Sequence, residues 1–72
     1  MWVIPIVEKL KSKRLEKGLS QHQLSLKAGL GGSAICRIEA KETKKVHPLR
    51  AQEIAKALNC EVTEIFDKEE IE

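Results

Sequence analysis

Aromatic residues are nearly absent: Trp2 and Phe66 are the only two in the chain, and there is no tyrosine. A chain this poor in rings lacks the stacking platform on which proteins hold single-stranded nucleic acid. Cysteine is limited to Cys36 and Cys60, too few for a disulfide framework, so a reduced, cytoplasmic setting is expected. No apolar run approaches the roughly 20 residues of a membrane span. The apolar stretch 2–7 is too short for a signal peptide's core, and no basic residue precedes it. At 72 residues the chain makes one small domain, without room for a catalytic domain beside a sensor domain.

Catalytic patterns are missing as well. No Ser-His-carboxylate order, nucleotide-binding glycine loop or metal-ligand cluster stands out, so the chain reads as a non-enzyme without a cofactor. His22 and His47 lie 25 positions apart, and neither has a Cys or carboxylate at ligand spacing. No metal is expected.

What the sequence does have is an uneven charge. Residues 9–50 hold eleven Lys or Arg against three acids, a net +8. Residues 51–72 hold two lysines against seven acids, a net −5. A basic body with an acidic end points to a face that meets a polyanion and a face kept away from it.

Punctuation divides the chain into short segments. Val7, Leu10, Arg14 and Leu15 recur on one helical face between residues 6 and 17, and Gly18 stops the run. Arg14 is a charge within an apolar stripe. Ser20-Gln21-His22-Gln23 has the form of a capping box, in which hydroxyl and amide side chains satisfy each other's backbone N–H groups. Leu24 and Ala28 then mark a buried face, and Gly29 ends that helix. A third helix is expected around residues 32–40, beginning weakly at Gly31-Gly32-Ser33, with Ile35 and Ile38 buried. Its opposite face carries Ser33, Cys36, Arg37 and Ala40. Pro48 opens a fourth helix on Ala51, Ile54, Ala55 and Leu58, and Asn59 can stop it in the left-handed conformation. Thr63 is the expected cap of a last short helix with Ile65 and Phe66. Residues 2–6 alone have β-branched content worth a strand. The fold class is therefore all-α: a compact bundle of four to five short helices containing a helix-turn-helix, with a short N-terminal strand or arm. Residues 1–6 are the apolar arm, 7–66 the domain, and 67–72 an acidic tail.

Segments two and three, joined at Gly29 and Leu30, leave one face of the third helix free to enter a major groove. The run 11–21, with Leu24, Lys27-Ala28-Gly29, Ile35, Ile38 and Glu39, resembles the Cro/XRE family of helix-turn-helix regulators, whose familiar members are the lambdoid phage repressors. Residues 51–66 resemble that family's fourth and fifth helices. The resemblance implies that Gln21 contacts a phosphate and that Gly32, Ser33 and Arg37 face base edges, with Cys36 beside them. It places Lys44 and Lys45 in a loop along the DNA backbone, and Arg14 with Glu39 in a structural ion pair. Two departures matter. Gly31 stands where the family usually has Ser or Thr, and Gly32 where it has a polar reader. Arg37 is then the only long polar group on the face, suited to guanine O6 and N7.

The expected function is sequence-specific binding of double-stranded DNA by a homodimeric transcriptional regulator, a repressor on the strength of the resemblance. The alternative is a protein-interaction module of the same fold, antitoxin-like or an adaptor, with weak or partner-dependent DNA binding. The arm either caps the small core or pairs with a two-fold mate. Leu26, at a helix position that should face solvent, is a further partner-surface candidate.

Overall fold

Leu10, Leu24, Ile35, Ile54, Leu58 and Ile65 are fully buried, and each helix among the described residues contributes to that group. A computed structural model describes residues 2–68. The order is β1 (Val3–Pro5), α1 (Val7–Glu16), α2 (Gln21–Lys27), α3 (Ala34–Glu39), α4 (Pro48–Ala57), α5 (Val62–Ile65) and β2 (Phe66–Lys68). The architecture is an all-α bundle of five short helices, with a short N-terminal strand.

Local chemistry explains most boundaries. The hydroxyl of Ser20 accepts from Gln23 N at 3.0 Å, and the Gln23 side chain accepts from Ser20 N at 2.8 Å, closing the capping box of α2. Gly29, at φ +75°, turns the chain after α2 in the left-handed region, which a Cβ disfavours. Pro48 begins α4, with His47 as its cap: Nδ1 accepts from Leu49 N at 3.1 Å. Asn59 lies at φ 55°, as its place after α4 requires.

Four expectations need correction. Leu15, grouped with Val7, Leu10 and Arg14 on one helical face, is 59% exposed, because five positions after the buried Leu10 it points about 140° away from it. Helix α3 begins at Ala34, since Gly31, Gly32 and Ser33 form a turn closed by Ala34 N on Gly31 O at 3.0 Å. Glu61, not Thr63, caps α5: its N–H donates to Glu64 Oε2 at 2.8 Å, and Thr63 lies inside the helix. Asp67 and Lys68 belong to a strand; only the rest of the expected tail, 69–72, lies outside the described residues.

That strand is the arm's partner. β1 and β2 pair antiparallel, Val3 opposite Lys68 and Pro5 opposite Phe66. Val3 is also bridged to Val46, N to O at 3.0 Å and O to N at 2.8 Å. The arm thus pairs within its own chain, with β2 and with Val46. It ties the chain's end to the loop that follows α3, and so fixes the segment carrying Lys44 and Lys45.

Candidate nucleic-acid interface

Helix α3 is held from below by two polar devices. The first joins α1, α2 and α3. Arg14 Nε donates to Glu39 Oε2 at 2.7 Å and Nη2 to Oε1 at 3.1 Å, while Nη1 donates to Leu19 O at 2.8 Å. Gln21 Nε2 adds a bond to Glu39 Oε1 at 3.0 Å. Both charged side chains are nearly inaccessible, at 8% and 6%. Burial alone pushes the Glu39 carboxyl up. The hydrogen bonds from Arg14 and Gln21 and the charges of Arg14 and Lys11 outweigh it and hold the carboxyl below its ordinary 4.5.

The second device is Ser25, fully buried on α2. Its hydroxyl donates to Gln21 O at 2.8 Å and accepts from Ile35 N at 3.0 Å. It satisfies an amide in the first turn of α3, which has no capping side chain of its own. Sequence reasoning passed over Ser25. The signal was there: Gln21, Leu24, Ser25 and Ala28 are spaced i, i+3, i+4 and i+7, one face of a helix.

With Ile35 and Ile38 turned inward, the outer face of α3 is left to Ser33, Cys36 and Arg37, all exposed. The Ser33 hydroxyl makes no bond to the helix end, so it remains available. Gly32 is half-buried beneath the ring of His22. Gln21 is half-buried, with one amide hydrogen committed to Glu39. Lys44 and Lys45 are exposed in the loop beyond.

A helix of six residues is about 9 Å long, and its diameter with side chains, about 10–12 Å, matches the roughly 12 Å width of a major groove. Its flank is cationic: Arg37, Lys45 and Arg50 line one groove of about 620 Å³ together with Trp2 and His47. The rings of Trp2 and His47 meet edge-on at 6.0 Å, which gives the exposed Trp2 its contact.

A family model described as "Helix-turn-helix" matches residues 10–65. The chain belongs to the helix-turn-helix family. Helices α2 and α3, joined through the turn at Gly29, both lie within the matched span. In structure the chain is similar to the restriction-modification controller protein C.AhdI from Aeromonas hydrophila, with 31% identity and a TM-score of 0.74 over 81% of this chain and 86% of that one. No curated protein matches it.

Among the described residues no three His, Cys, Asp or Glu side chains are grouped to hold a metal ion, and no helix is long and apolar enough to cross a membrane. Burial and the nearby Glu64 charge push the Cys60 thiol up, away from the reactive thiolate.

Proposed function

We propose that this helix-turn-helix protein is a sequence-specific DNA-binding transcriptional regulator of the Cro/XRE type, acting as a homodimeric repressor. Helix α3 lies in the major groove, and Arg37 is the principal reader, donating to guanine O6 and N7. Ser33 and Cys36 face the bases beside it. Gln21, Lys44 and Lys45 bind phosphates and set the register without specifying sequence. Two copies related by a two-fold axis would present their α3 helices about 34 Å apart, one helical turn of DNA.

The observation that carries this reading is the division of α3. Its inner face is locked by Ile35, Ile38, Glu39 and Ser25, while Arg37 stands exposed on the outer face. The likeness to a restriction-modification controller protein supports a regulatory role, and makes genes of a restriction–modification system a specific target to test.

The test is Arg37→Ala. Operator binding should weaken by about tenfold or more with the melting temperature unchanged, because the side chain is exposed. Retained promoter binding would remove Arg37 as the reader.

A second reading has its own observation. Ile4, Leu15, Leu26 and Leu49 are large apolar side chains 39–65% exposed, a cost that contact with another protein would offset. It is favoured if the purified chain binds no duplex.

A further inference from the structure

We propose that His22 reads a base in the groove, taking the place of the side chain that Gly32 lacks. The inference rests on the DNA-binding reading above. The entry of α3 carries two glycines before Ser33. A Cβ at Gly31 would meet nothing within 4 Å, but one at Gly32 would lie 2.7 Å from His22 Cε1 and 2.9 Å from Nδ1. The exposed imidazole, supplied by α2, therefore occupies the spot where a side chain at position 32 would begin.

The ring is also oriented. Nδ1 lies 3.2 Å from the Gly32 carbonyl oxygen. A carbonyl only accepts, so in this bond Nδ1 carries the hydrogen and the neutral ring keeps its lone pair on Nε2. Nε2 has no hydrogen-bond partner among the described residues. An acceptor there is complementary to an exocyclic amine, adenine N6 or cytosine N4, the donors that bases show in the major groove. It is mismatched to guanine O6 and N7 and to thymine O4, which are acceptors themselves. His22 and Arg37 thus bring opposite chemistries: Arg37 donates, and His22 accepts.

Selection of random duplexes by the purified full chain, followed by sequencing, tests this. The wild type is run beside His22→Ala, Gly32→Ala and Arg37→Ala, with melting curves on each. The two variants aimed at His22 act on the ring by independent routes: one removes it, and the other displaces it with a methyl group. Neither asks the backbone to move, since the atoms nearest the new Cβ belong to the far end of an exposed side chain, which a rotation can clear. The wild-type motif should contain one position restricted to adenine or cytosine by about tenfold or more. Both variants should bring that position to near parity and leave the others in place. Arg37→Ala should instead relax a guanine. An unchanged motif in His22→Ala and Gly32→Ala overturns the role of His22 and leaves the DNA-binding reading standing. A wild type that enriches no motif overturns that reading, and this assignment with it.

Discussion

The side-chain amide of Gln21 donates to the carboxylate of Glu39 at 3.0 Å, joining the start of α2 to the end of α3. The same carboxylate receives the fork of Arg14, so one buried group ties three helices together. Gln21 is also a proposed phosphate contact. The residue proposed to contact a phosphate is thus bonded to the pair that holds α3 in place.

Removing one member of the Arg14–Glu39 pair leaves the other buried and uncompensated. Arg14→Met or Glu39→Gln should each cost about 3–5 kcal/mol in urea unfolding. The double variant Arg14→Met/Glu39→Met should recover much of that loss, because burying two apolar groups avoids the desolvation of two charges. Additive losses in the double variant would show that the pair is not coupled.

Acid should expose the same pair. The folded carboxyl of Glu39 lies below its ordinary 4.5, so its contribution is complete above that pH and fades as pH falls through the lowered folded value. Melting temperatures followed from pH 7 to pH 3 should drop further for the wild type than for Glu39→Gln. Equal drops would remove Glu39 from the acid response.

Ser25→Ala should cost about 1–3 kcal/mol, since the Ile35 amide loses its acceptor in a buried place. Hydrogen exchange at Ile35 should accelerate more than at Leu58, which lies in the α4 ladder. A variant as stable as the wild type would mean that water reaches the orphaned amide.

Two glycines of the turn should behave oppositely. Gly29→Ala forces a Cβ into the left-handed region and should cost about 1–2 kcal/mol. Gly31→Ala meets no neighbour and should be neutral or stabilise by up to about 1 kcal/mol through the unfolded chain. Thermal melts of the two variants compare them directly.

Features set by residues close in sequence were legible without coordinates. The Ser20–Gln23 box, the turn at Gly29, Pro48 at the head of α4 and the left-handed Asn59 each follow from local chemistry. Strand β2 was not legible, because Phe66-Asp67-Lys68 is too short and too polar to read as a strand, and only its pairing with Val3–Pro5 makes it one. Thr63 was a reasonable cap by type, yet Glu61 takes that place because Glu64 reaches back to its N–H. At the proposed interface, Arg37 and Ser33 could be placed on the outer face from helical spacing alone. The seat of His22 on Gly32 could not, since it depends on how closely α2 and the turn approach.

The most direct test of the account is binding of the purified chain to its own upstream DNA and to an unrelated duplex of equal length, across a salt series. Several phosphate contacts should make the affinity fall steeply, with a slope near −0.9 per neutralised phosphate. The upstream DNA should be preferred by about a thousandfold or more. Salt-insensitive binding, or none to either duplex, would contradict the placing of α3 in a DNA groove and direct the search to a protein partner.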